Sequence, residues 1–188
     1  MSEKTAPSPN RREPSEPSTP PLAVMTLDQI QAAQSGDALA MGDLIDALLP
    51  WVGRLCASIA LDAGPDATQD TLIQVMRDLK GLRDPAALRT WVRRIATREA
   101  IRHATRRRSD PGSPNADLAP GRSLDPSLRS DVARVLAELP TDQRIILILR
   151  DLEGLSEAEA ATELNVAQGT IKSRLHRARD AFRKRWPS

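Results

Sequence analysis

The sequence predicts an all-α protein made of two small helical units joined by a flexible linker. Three observations carry this expectation. Apolar residues recur at three- and four-residue steps in both units, no stretch alternates with period two for long, and two Pro-rich or small-polar stretches divide the chain. Residues 1–22 hold six of the 15 prolines with Ser, Thr and Glu, a composition that cannot form a packed core and reads as a disordered tail. Residues 109–127, with Pro111-Gly112, Pro120-Gly121 and Asp125-Pro126, read as the linker, leaving compact units at 23–108 and 128–186. Fully extended, that linker spans roughly 60 Å.

In the first unit, Met41, Leu44, Ile45, Leu48, Val52, Leu55 and Ile59 make one apolar helical stripe, which Pro50 is expected to kink or briefly break. Gly64-Pro65 opens the next helix, with Leu72, Val75, Met76 and Leu79 expected to face inward and Gly81 near its end. Asp84-Pro85 supplies a cap and a proline at the first helical position; Leu88, Trp91, Val92 and Ile95 then form a core face. In the second unit, Leu139-Pro140-Thr141 is expected to end one helix and cap another with core positions Ile145, Ile148, Leu149 and Leu152, broken by Gly154. Ser156 and Glu159 form a capping box for a helix over 157–164, closed by Asn165, which tolerates a left-handed backbone. A short turn leads to a basic helix starting near Gln168.

Composition bounds the function classes. With 40% hydrophobic and 28% charged residues, the 188-residue chain can bury a core and is not disordered throughout. A lone cysteine, Cys56, excludes an internal disulfide and fits a reducing compartment; with His103 and His176 as the only other soft ligands, no structural zinc is expected. The longest aliphatic run, Ile145 to Leu149, is far short of a membrane span, and the N-terminus lacks an apolar signal core, so the expected location is cytoplasmic, with no membrane partner. The net charge of +2 conceals its distribution. Seven Asp against one Arg give −6 over residues 23–70; residues 77–108 carry +8, 131–163 carry −5 and 172–185 carry +6. Two concentrated cationic stretches thus alternate with acidic ones, and local fields rather than net charge steer partners.

A short acidic helix, a tight turn and a basic helix make a helix-turn-helix, whose second helix enters the major groove. Ile171, Leu175, Ala178 and Phe182 lie at 4-3-4 spacing and pack inward, so Lys172, Ser173, His176 and Arg177 project where base edges would lie. Arg and Lys pair with guanine acceptors, and Ser adapts to donor or acceptor. No Gly-rich phosphate loop, spaced carboxylate pair or Ser/His/Asp set stands out, so neither catalysis nor a cofactor is expected.

These residues carry a family resemblance. Leu139-Pro140, Arg144, Leu149-Arg150, Glu153-Gly154-Leu155-Ser156, Glu159, Ala161, Leu164 and Gly169-Thr170-Ile171-Lys172-Ser173-Arg174-Leu175, followed by Arg177-Ala178-Arg179, resemble region 4 of bacterial sigma factors of the extracytoplasmic-function (ECF) group. That resemblance implies −35 promoter recognition through Thr170, Lys172, Ser173, Arg174, His176 and Arg177, and contact with the polymerase flap. Ala167 stands where the family often has a capping Ser, and Asn165 where Gly is common. Upstream, Asp66, Gln69, Asp70 and Ile73 recur at helical spacing and resemble the acidic stretch of sigma region 2, which implies binding to the clamp helices of core RNA polymerase. The segment Leu82 to Glu99 resembles the family's Leu-Arg-Thr-Trp-Leu-x-Arg-Ile-Ala segment, which implies −10 strand binding. Arg94, Arg98 and Arg102 repeat every four residues as a cationic stripe suited to a strand's phosphates, and Arg83 precedes them in the loop. Relatives often carry aromatics at the positions of Leu72 and Leu82; this chain has no Tyr and a single Phe, so base capture would rest on Arg stacking, backbone contacts and pocket shape.

The resemblance therefore implies a promoter-specificity subunit with core RNA polymerase and promoter DNA as partners, and an anti-sigma factor as a further partner, since relatives are often held by one. The alternative is a stand-alone helix-turn-helix regulator whose N-terminal unit senses or dimerises.

Overall fold

The computed structural model describes residues 25–109 and 131–186; the Pro-rich tail and nearly all of the linker lie outside the described residues. Helices α1 (Leu27–Ser35), α2 (Ala38–Ala60), α3 (Gly64–Asp78) and α4 (Leu88–Ser109) form the first unit. Helices α5 (Asp131–Ala137), α6 (Thr141–Leu147), α7 (Glu157–Leu164) and α8 (Gln168–Arg185) form the second. No strand occurs among the described residues.

In the first unit, α2, α3 and α4 pack mutually, with α1 laid against α2. Leu44, Leu48, Val52, Leu55 and Ile59 are buried along α2, as the apolar stripe requires. Pro50 does not break that helix, which runs through it from Ala38 to Ala60. Pro50 and Asp46, whose carbonyl loses its helical donor, both lie on the exposed side of the helix, where the lost hydrogen bond is not buried in the core. A stretch beginning in α2, Ala38–Gly81, is apolar enough to cross a membrane by length and composition, yet 56% of its most apolar window is buried in this packing.

The join between α2 and α3 is the tightest point of the unit. Leu61 turns the chain with φ 54°, and Gly64 starts α3. A Cβ on Gly64 would fall 2.6 Å from Ala57 Cα, a backbone atom that cannot step aside. Gly64→Ala is thus expected to destabilise the chain by about 1–3 kcal/mol through overpacking, although alanine is ordinarily the better helix former. A thermal melt checks this; a stabilised variant would contradict the close approach. Val75 and Leu79 face inward as expected, but Met76 is half exposed, because its position on α3 falls beyond the arc covered by α2 and α4.

In the second unit, α8 packs on α6 and α7. No side chain caps α6: Pro140 occupies the cap position and Thr141 already lies in the first turn, contrary to the expected capping role. The helix then widens into a π-helical turn over Ile148–Leu152. The extra residue per turn rotates the end of the helix, which is why Leu152, expected in the core, is exposed while Ile145, Ile148 and Leu149 are buried. Gly154 ends the run with φ 72°. The Ser156–Glu159 capping box is formed in both directions, and its hydrogen bonds hold the Glu159 carboxyl below its usual range. Asn165 ends α7 in the left-handed region with φ 51°.

Candidate nucleic-acid interface

Helix α8 shows a divided surface. Ile171, Leu175 and Ala178 are buried and Phe182 is half-buried, while Lys172, Ser173, His176 and Arg177 are exposed on the other side. Thr170 and Arg174 are half-buried at the flanks. The exposed row is lightly tied within the helix: Ser173 Oγ donates to the Thr170 carbonyl at 3.0 Å, and His176 Nε2 lies 3.4 Å from Asp180. Ala167 at the N-cap makes no side-chain hydrogen bond; its carbonyl instead accepts from Thr170 N at 2.9 Å. Arg179 turns away from that row. It grips Asp151 at 2.6 and 3.2 Å, and this carboxylate raises its pKa further. Phe182 stacks on Trp186 with centroids 5.4 Å apart, and with Val132, Leu136, Leu147 and Leu152 it lines an apolar cavity of about 260 Å³.

On α3, Asp66, Gln69 and Ile73 are exposed. Beside them Leu49 and Met76 are also exposed, so the polar face has an apolar border. Asp70 is placed differently. Its carboxylate accepts from Arg102 at 2.7 Å and lies 2.8 Å from His103 Nε2, tying α3 to α4. The hydrogen bond from His103 leads in holding the Asp70 carboxyl below its usual range, with Arg102 adding to it. Glu99, Asp70 and His103 bring ligand atoms within 4.8 Å of one another, but the Arg102 guanidinium already contacts both carboxylates. The Arg102 guanidinium thus takes the place between the two carboxylates that a metal ion would need.

The stripe on α4 is present but partly answered by acids. Arg94 and Arg98 keep 57% and 61% of their side-chain surface exposed; Arg98 lies 3.6 Å from Glu99 and Arg94 lies 3.9 Å from Glu163. Arg83 is exposed in the turn before Asp84, whose carboxylate accepts from Ala86 N at 2.9 Å and fixes the entry to α4. Trp91 is half-buried against the core. Cys56 is fully buried, and burial pushes its thiol up to about 11, so it packs as a small apolar residue.

Sequence reasoning missed a group of residues between the two units: Trp51, Arg89, Arg93, Arg144, Glu153 and Glu163. Arg144 is buried and donates to the carbonyls of Leu139 and, across the units, Ile59. The one available signal was the net −5 of residues 131–163 beside the cationic α4.

A helix-turn-helix with an exposed basic row, beside a helical unit carrying an exposed polar face on α3 and an arginine stripe on α4, defines a two-domain, all-helical DNA-binding protein. Comparison with known proteins narrows the class. Residues 44–109 match the family Sigma-70 region 2, and residues 129–182 match Sigma-70, region 4. The chain is 33% identical over 130 residues to the ECF RNA polymerase sigma factor SigM of Mycobacterium tuberculosis, a match covering 68% of this chain and 66% of that relative. It is 29% identical over 171 residues to the ECF RNA polymerase sigma-E factor of Escherichia coli K12, covering 81% and 90% of the two. Among solved structures it resembles the sigma factor RpoE in complex with the anti-sigma factor NepR from Bartonella quintana, at 24% identity and TM-score 0.61 over 77% of this chain and 94% of that one. It also resembles CnrH in complex with the cytosolic domain of CnrY, at 24% identity and TM-score 0.58 over 84% and 94%. The chain belongs to the sigma-70 family of RNA polymerase sigma factors, in its ECF group. Members of this family are non-enzymatic transcription initiation factors that bind core RNA polymerase and promoter DNA. The region 2 match speaks against the stand-alone regulator.

Proposed function

We propose that this chain directs core RNA polymerase to its own set of promoters, in the cytoplasm, without a catalytic residue or a cofactor of its own. The observation that carries this reading is the exposed row Lys172, Ser173, His176 and Arg177, set over the buried Ile171, Leu175 and Ala178 and flanked by Thr170 and Arg174. This row reads −35 base edges from the major groove. Arg83, Arg94, Arg98 and Arg102 hold the phosphates of the opened −10 strand, and unstacked bases are captured with almost no aromatic surface. Asp66, Gln69 and Ile73 dock on the polymerase clamp, with Asp70 contributing through its hold on α4. The apolar cavity lined by Leu152 and Phe182 receives the polymerase flap. The complexes of the two solved neighbours with NepR and CnrY support an anti-sigma factor as a further partner.

The clamp assignment is tested by D66A/Q69A, which spares the Asp70 cluster. The double variant is expected to bind core polymerase about tenfold more weakly with an unaltered melting temperature, measured by fluorescence anisotropy and a thermal melt. Unchanged binding would remove both residues from the interface.

A further inference from the structure

We infer that Gln34 on α1 is a positioning residue for −10 strand recognition: it fixes the turn between α3 and α4, so that the backbone of Arg83 and Asp84 reads the edge of one unstacked base. The inference rests on the proposed function and adds to it a means of base discrimination that needs no aromatic side chain.

Gln34 sits in the last turn of α1 and is half-buried. Its Nε2 donates to the Leu82 carbonyl at 2.7 Å and to the Leu79 carbonyl at 3.2 Å, reaching 48 and 45 residues along the chain. Two carbonyls facing one carboxamide require its nitrogen on that side, and the two N–H groups of that nitrogen serve one each. Leu82 N donates in turn to the Leu79 carbonyl at 3.0 Å. The turn is thus closed on itself and tied to α1 at both ends. Among the described residues the Leu82 carbonyl accepts from Gln34 alone.

The post that holds the turn is itself firm. Ile30 and Ala33 bury α1 in the core, and the Thr26–Gln29 capping box closes its first turn. Beyond Leu82 the chain is fixed a second time: the Asp84 carboxylate accepts from Ala86 N at 2.9 Å, and its carbonyl accepts from Ala87 N at 3.0 Å. Between these anchors lie the backbones of Arg83 and Asp84, both exposed. Among the described residues nothing donates to the Arg83 carbonyl or accepts from the Arg83 and Asp84 N–H groups. One acceptor and two donors are therefore presented within two residues, just ahead of the arginine stripe on α4.

Position matters here because of what the chain lacks. Stacking on an aromatic ring holds any base, since every base has a π-face, whereas hydrogen bonds to the edge tell bases apart. With Leu72 and Leu82 aliphatic and no Tyr in the chain, discrimination falls on edge contacts. Such bonds weaken steeply when misaligned. A turn that samples several conformations presents its groups correctly for only a fraction of the time, and its apparent affinity drops by that fraction. Gln34 removes this loss for the matching base, while a mismatched base gains nothing from it.

The test uses holoenzyme assembled with the full-length chain. Single-stranded −10 oligonucleotides, taken from a promoter selected by that holoenzyme and carrying each base at each position in turn, are titrated by fluorescence anisotropy. The parent is expected to prefer one base about tenfold at the captured position, the scale of one well-aligned hydrogen bond. Q34M keeps the length of the side chain without its donors, and Q34A removes both. Each is expected to reduce that preference to less than about twofold, with core polymerase and −35 duplex affinities at the parent level. Q34K, which restores N–H donors, is expected to recover the preference. A Q34M holoenzyme that keeps the parent's preference overturns the inference. So does a loss spread evenly over every strand position that Q34K does not recover, the mark of a merely structural role. A parent with no base preference at any strand position would instead defeat the promoter reading, and the positioning role with it.

Discussion

Holoenzyme assembled with K172A/R177A is expected to initiate about a hundredfold more slowly from a cognate promoter, with the melting temperature of the free chain unchanged. Both side chains are exposed on the outer face of α8 and carry no part of the core. A base-edge contact from Lys or Arg is worth roughly 1–3 kcal/mol of discrimination, so losing two near the lower middle of that range gives about two orders of magnitude. The loss should fall on promoters that retain their −35 element. On templates whose −35 sequence is scrambled, parent and variant should differ only by the weaker phosphate attraction. The measurement is multi-round transcription from paired templates. A variant impaired equally on both would assign these residues to non-specific attraction.

The opposite face of the same helix gives the second large effect. Ile171 is completely buried, one residue before Lys172. Ile171→Ala removes a branched side chain from a small core that includes Ile146, Ile148, Leu149, Leu155 and Leu175, with an expected cost of about 2–5 kcal/mol. For a unit of this size the melting transition should fall by more than 10 °C. The contrast between adjacent residues is what matters: changing Ile171 should unfold the helix-turn-helix, whereas changing Lys172 should silence it while it remains folded. Comparable melting losses from the two would contradict the assignment of faces.

Much of this was legible in the chain because the signals are local. Ser156 and Glu159 specify a capping box within four residues, Asn165 accepts the left-handed closure, and the 4-3-4 spacing from Ile171 to Phe182 sets which side of α8 is buried. The features that sequence alone does not report depend on context or on contacts far apart in the chain. Pro50 reads as a disturbance of α2, but it lies on the exposed side and the helix runs through it. Leu152 fits the periodicity of a core residue until the π-helical turn rotates it outward. Asp70 reads as one more acid on the α3 face, yet it is tied to Arg102 and His103 more than thirty residues away. The inter-unit contacts of Arg144, Glu153 and Glu163 bridge residues across the linker, and no periodicity or motif reports them. Charge arithmetic gave only a hint: an acidic −5 segment directly precedes a basic helix, and two of its acids, Glu153 and Glu163, meet arginines of α4.

The most direct test of the central claim is run-off transcription. Purified core polymerase is combined with the full-length chain on promoter DNA selected by the holoenzyme from a random library. A discrete product starting at a fixed distance downstream of the selected −10 element, dependent on the chain and absent with core enzyme alone, is the expected result. Polymerase that binds the chain yet never initiates specifically on any selected template would contradict it.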